Sequence, residues 1–97
     1  MKGVTGVARV ILPSMLRDVT GGAEEVQIAG GTLGAVLDAL VLKYPDIKAR
    51  LFDESGSVYH YVAFFVDGVE VRASQGGYAT VRPDSEIVIV PALSGGR

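Results

Sequence analysis

The sequence has no cysteine and no tryptophan, and His60 is its one histidine among 97 residues. Without cysteine there is no disulfide framework, no thiolate metal site and no cysteine nucleophile. A lone histidine predicts no metal centre, so His60 is read as a structural or surface residue. No apolar run approaches the roughly eighteen residues that cross a bilayer, and no membrane partner is expected. Met1 to Gly6 carries no long apolar stretch and no convincing cleavage site. No signal peptide is therefore expected, and the cytoplasm is the expected compartment. Basic residues are few and scattered, six Arg and three Lys, and the formal net charge is −2. Phosphate binding needs a concentrated basic face, so nucleic acid is not the expected partner.

What remains is enough for one small domain: 48% hydrophobic residues to build a core and 21% charged residues around it. Val4 to Leu12 is apolar on both faces, as a central strand would be. Pro13 to Gly22 reads as a loop. Glu24 to Ile28 reads as a short edge strand with Val26 and Ile28 inward, forming a hairpin with the first strand. Thr32 stands at a helix N-cap, and Leu33, Val36, Leu37, Leu40, Val41 and Tyr44 follow at helical spacing. Pro45 ends that helix. Asp46 to Phe52 makes at most one further short turn, with Ile47, Leu51 and Phe52 as lids on the core, and Asp53 to Ser57 is a polar loop. Tyr59 to Val66 and Val69 to Arg72 read as strands around Asp67-Gly68, a pair suited to a type I′ turn. Ala73 to Ala79 is a connector, Pro83-Asp84-Ser85 a turn, and Glu86 to Pro91 the last strand.

The order is strand, strand, helix, strand, strand, strand. One amphipathic helix must cover one face of a mixed sheet of four to five strands, and a crossover through the helix implies strands running parallel. The expected class is α+β, a β-grasp (ubiquitin-like) roll over residues 1–91 with a flexible tail at 92–97. A ferredoxin-like fold needs a second long helix, and Asp46 to Phe52 is too short for one.

The tail is the chemically suggestive part. Gly95-Gly96 follows the last strand and Pro91. Glycine has no Cβ, so such a segment can approach catalytic atoms closely. From Pro91 to Gly96 an extended chain reaches roughly 17 Å, at about 3.3 Å per residue, far enough to enter a partner while the globule stays outside. The pairs at 21–22, 30–31 and 76–77 are read as turn formers. Asp53-Glu54 and Glu24-Glu25 are neighbours in sequence, a spacing that rarely converges two groups on a substrate, so they are read as solvated charge. Gly30-Gly31-Thr32 is only a weak echo of a phosphate loop.

Several stretches carry a family resemblance: Pro13 to Arg17 with Thr20-Gly21-Gly22, Gly31 to Val36, Phe65 to Arg72, and Gly76 to Thr80 continuing through Pro83 to Gly96. In this order they resemble the ubiquitin-like sulfur carriers of the MoaD/ThiS family, most of all the CysO-type carriers that supply sulfur for cysteine synthesis. The resemblance implies that the glycine carboxyl, here at Gly96, is adenylated by a ubiquitin-activating-type adenylyltransferase using ATP and converted to a thiocarboxylate. It implies a carrier rather than an enzyme, with no bound cofactor. The carrier then delivers sulfur to a synthase, which for cysteine is pyridoxal-phosphate dependent. Gly95 and Ser94 would admit the tail to the partner, and Leu93 would anchor its base. Arg97 departs from the pattern. Its long charged side chain blocks a glycine-only channel, so the resemblance implies removal by a zinc metallopeptidase of the JAMM type. Within the same class stands the small subunit of molybdopterin synthase; in a different class stands a ubiquitin-like modifier joined to lysines. A plain interaction domain with an incidental tail is the third class.

One helix cannot cover both faces of the sheet. Ile87, Ile89 and Phe65 are therefore expected on a partner-docking surface together with the last strand.

Overall fold

The computed structural model describes residues 7–29, 31–59, 61–71 and 79–91. Seven strands and three helices follow in the order β1 (Val7–Ile11), α1 (Ser14–Arg17), β2 (Glu25–Ala29), β3 (Gly31–Thr32), α2 (Leu33–Lys43), α3 (Ile47–Leu51), β4 (Val62–Val66), β5 (Val69–Val71), β6 (Thr80–Val81) and β7 (Glu86–Pro91). Five of the strands form one sheet in the order β2-β1-β7-β4-β5, and β3 pairs with β6 in a second, two-stranded sheet. β1 and β7 are parallel, and every other pair is antiparallel. β2 and β4, the strands on either side of the helical segment, therefore run the same way with β1 and β7 between them. This is the mixed sheet under one main helix that the β-grasp reading requires.

Local chemistry explains most of the elements. The Thr32 hydroxyl accepts a hydrogen bond from the Ala35 amide at 3.1 Å, which caps α2. At the other end the Tyr44 amide still donates to the Leu40 carbonyl, but Tyr44 leaves helical geometry just ahead of Pro45. Leu33, Val36, Leu37 and Leu40 are buried along one side of α2, against Ala8, Val10, Val26, Ile28, Phe64, Ile87 and Ile89 from the sheet. Asp67 at φ 52° and Gly68 at φ 85° make the tight turn between β4 and β5.

Three boundaries differ from expectation. The 13–22 segment is no plain loop: α1 forms one helical turn there and buries Leu16 completely. Arg50 holds that segment in place. Its guanidinium bonds both Asp18 carboxylate oxygens, at 3.1 and 3.0 Å, and the Met15 carbonyl at 2.7 Å. Second, β4 begins at Val62 rather than Tyr59, because the Val62 amide turns back to the Tyr59 carbonyl and Phe52 bridges to Val58. Third, β3 and β6 pair across long sequence separation, where Gly31 was read as part of a break and Thr80–Val81 was assigned to no element. Among the described residues no helix is long and apolar enough to cross a membrane.

Candidate functional site

Among the described residues the helices cover one face of the five-stranded sheet and leave the other open. Side-chain alternation decides what the open face carries. In β7, Ile87 and Ile89 point into the core, 0% and 2% exposed, while Val90 is 37% exposed and Val88 half-buried on the opposite side. Expecting Ile87 and Ile89 on the docking surface was wrong. All four residues from Ile87 to Val90 are apolar, so composition could not say which pair faces the helix. The register places Val88 and Val90 outward instead.

Cross-strand pairing builds a continuous patch around them. Ile11 of β1 lies opposite Val88, Val88 opposite Phe65 of β4, and Ala63 opposite Val90. Phe65 is half-buried on this open face, and its neighbour Phe64 is completely buried in the core. Ile11, Val88, Phe65, Ala63 and Val90 shield one another only partly, since no helix among the described residues lies over them. Charge frames the patch. Glu25 flanks Ile11, and Glu70 flanks Phe65. Arg9 bonds Glu86 at 3.1 Å and lies 3.8 Å from Glu25, both exposed pairs of small energetic weight.

The start of β7 is pinned. The Asp67 carboxylate accepts from the Glu86 amide at 2.9 Å and from the Ser85 hydroxyl at 2.7 Å, and the Asp67 amide donates to the Glu86 carbonyl. Ser85, almost fully buried, also takes a hydrogen bond from the Arg82 amide. The bonds from Glu86 and Ser85 hold the Asp67 carboxyl below the usual aspartate range. Sequence reading recognised the 67–68 turn but not this clasp, whose partners lie eighteen and nineteen residues apart. β7 thus has a fixed start and an interior place between β1 and β4. Its last described residue, Pro91, lies opposite Val62. The proposed tail residues Leu93, Ser94, Gly95, Gly96 and Arg97 lie outside the described residues, as does His60.

Among the described residues no three His, Cys, Asp or Glu side chains come together as metal ligands. The open apolar face and the strand leading to residue 92 are the features that can serve a partner.

Comparison with known proteins supplies the relationship. The pattern of the ThiS family matches residues 10–96. The sulfur carrier protein CysO of Mycobacterium tuberculosis is 41% identical over 90 residues, 90% of this chain and 96% of that protein. Small archaeal modifier protein 1 of Haloferax volcanii is 35% identical over 65 residues, 67% of this chain and 70% of that protein. Among solved structures, a chain of the BexX/CysO complex of Amycolatopsis orientalis superimposes with a TM-score of 0.79 at 32% identity, covering 92% of this chain and 99% of that one.

Proposed function

This chain belongs to the ThiS family, and from that membership we propose that it carries sulfur as a thiocarboxylate on Gly96. The observation that carries the reading is the family match itself, which ends at Gly96, the second glycine of the tail, and leaves Arg97 outside it. The 41% identity to a protein named a sulfur carrier supports the same role. The mycobacterial relative is named a carrier, and this chain acts as a protein co-substrate rather than an enzyme.

The chemistry runs in three steps. Water cleaves the Gly96–Arg97 peptide bond in the site of a metallopeptidase and leaves the Gly96 carboxylate. An adenylating enzyme joins that carboxylate to AMP from ATP and releases pyrophosphate. A sulfur nucleophile then attacks the acyl carbon, AMP leaves with the bonding pair, and a thiocarboxylate results. A carboxylate is a poor electrophile and the mixed anhydride a good one, which is why ATP is spent on the activating partner. The open face of Ile11, Val88, Phe65, Ala63 and Val90 docks that partner. Leu93 anchors the tail's base, and Ser94 with Gly95 passes through a narrow entry. The thiocarboxylate then supplies sulfur to an acceptor synthase, with cysteine synthesis as the pathway.

Two measurements test this. Incubated with its activating enzyme and ATP, a chain ending at Gly96 should form adenylate, and the chain bearing Arg97 should form little. Equal rates for the two would remove the processing step. Intact mass of protein isolated from its own cells should show loss of Arg97 and one oxygen replaced by sulfur.

The 35% identity to an archaeal modifier protein favours a second reading, an isopeptide bond from Gly96 to lysines of other proteins. Conjugates of higher mass that survive a reducing gel would establish it.

A further inference from the structure

Of the six aspartates in the chain only Asp67 precedes a glycine, and the sequence has no asparagine. A backbone nitrogen reaches an aspartyl side chain most readily when it belongs to glycine, which puts no Cβ in the way. Asp67 is exposed in the turn between β4 and β5, where water reaches it. It stands at φ 52°, and Gly68 follows at φ 85°. The clasp to β7 restrains this exposed pair. Asp67 Oδ1 accepts from the Glu86 amide at 2.9 Å, and Oδ2 from the Ser85 hydroxyl at 2.7 Å. Ser85 is almost fully buried, and its own oxygen is held by the Arg82 amide at 2.9 Å.

We propose that Asp67-Gly68 is a site of isoaspartate formation, gated by the clasp to Ser85 and Glu86. The Gly68 nitrogen attacks Cγ of the protonated Asp67 carboxyl. The amide proton and the carboxyl hydroxyl leave as water, and a five-membered succinimide closes. A second water then opens the ring. Opening at Cγ restores the aspartate. Opening at the main-chain carbonyl carbon leaves the peptide bond on Cγ and a new carboxylate on Cα. Water is the one co-reactant.

The folded geometry resists each stage. Ring closure needs the Gly68 nitrogen eclipsed with Cβ about the Cα–C bond. In the left-handed conformation of Asp67, with ψ roughly +30 to +60°, that nitrogen lies nearly opposite Cβ. The turn must open, and the carboxylate must leave both of its partners on β7. Those two hydrogen bonds also favour the ionised carboxylate, which has no hydroxyl to lose. Breaking the clasp lifts both restraints. The product does not fit back: it carries an extra backbone carbon in a two-residue loop, and its carboxylate sits on a different atom. The start of β7 then loses its anchor. Neither the reaction nor its gating depends on the carrier reading.

The full chain is incubated near neutral pH, well below its melting temperature, and isoaspartate at position 67 is located by electron-transfer fragmentation of its peptides. The chain unfolded in urea should form it fastest and the native chain slowest. Ser85→Ala, still folded, should speed the native rate about tenfold, the order that losing a hydrogen bond to a charged group gives an opening equilibrium. Asp67→Glu should abolish the signal, because a glutamate has to close a six-membered ring. In the isomerised chain the Glu86 amide should exchange its proton faster. Thr32→Ala weakens the fold at α2 with the clasp intact and should leave the rate near that of the native chain. Equal acceleration by Thr32→Ala and Ser85→Ala would overturn the gating, since global unfolding would then set the rate. A native chain as fast as the unfolded one would overturn it too. Isoaspartate arising first at Asp84 or Asp53, or none at Asp67 in urea, would overturn the site itself.

Discussion

Ile89 and Val90 are neighbours on β7 that face opposite sides of the sheet, and replacing each in turn separates folding from the proposed docking. Ile89 is 2% exposed in the core and Val90 is 37% exposed on the open face. Ile89→Ala removes buried methyl groups and leaves a cavity, at a cost of about 2–5 kcal/mol. A domain of this length has about 5–15 kcal/mol in total. Its unfolding entropy at the midpoint, about 2.1 cal/mol/K per residue, comes to roughly 0.2 kcal/mol/K, so the melting temperature should fall by about 10–25 °C. Val90→Thr keeps the β-branched shape, and on a partly wet surface it should cost under about 1 kcal/mol, or less than about 5 °C. Docking reverses the ranking. A hydroxyl trapped against an apolar partner without a hydrogen bond costs about 1–3 kcal/mol. The KM of the activating enzyme for Val90→Thr should therefore rise at least about fivefold. Ile89→Ala, assayed well below its melting temperature, should keep a wild-type KM because its outer surface is unchanged. Thermal melts and pyrophosphate release with the adenylating partner read the two effects. Equal melting losses would refute the assignment of faces, and an unchanged KM for Val90→Thr would refute the docking surface.

Acid should weaken the fold through three carboxylates. The Arg50 hydrogen bond holds the Asp18 carboxyl below its ordinary value of 3.8, the Ser55 hydroxyl does the same for Asp53, and the Glu86 amide for Asp67. Each group is more acidic folded than unfolded, so the unfolded chain binds more protons below neutrality. Their stabilisation is complete above about pH 5 and is lost as pH falls through 3.8 and below. Urea midpoints should be level between about pH 7 and 5 and drop beneath 4, and Asp67→Asn should flatten part of that drop. Thr32→Ala removes the cap of α2 and should cost about 1 kcal/mol, near 5 °C in melting temperature. An unchanged melt would mean that α2 does not depend on the Thr32 hydroxyl.

How far the sequence could be read depended on how far apart the interacting residues lie. The α2 cap, its stop at Pro45 and the 67–68 turn rest on neighbours within four residues, and each was legible. So was the edge strand β2, because Val26 and Ile28 alternate with Glu25 and Gln27. Where alternation fails, so does the reading. Residues 87–90 are all apolar, and only pairing with β1 and β4 assigns Val88 to the outside. The turn of α1 escaped because Pro13 and the 21–22 glycines dominate the segment, while Met15, Leu16 and Val19 are too few to mark a helical period. The β3–β6 pair joins residues about fifty positions apart and leaves no local mark.

On the carrier reading, the position of β7 gives a physical reason for a reactive tail after it. A terminus drawn into a partner's active site exerts tension on the strand it leaves. β7 is the middle strand of five, paired with β4 from Ile87 to Pro91 and with β1 from Glu86 to Val88, anchored inside by Ile87 and Ile89, and clasped at its start by Asp67 and Ser85. An edge strand such as β5 would peel away one hydrogen bond at a time under the same pull. Pulling β7 out past Ile89 requires breaking its pairing to β1 and β4 together and opening the core. The same strand presents Val88 and Val90 on the open face. On the carrier reading, the docking face and the point from which the tail leaves therefore belong to one strand, and their relative position is set before any partner binds.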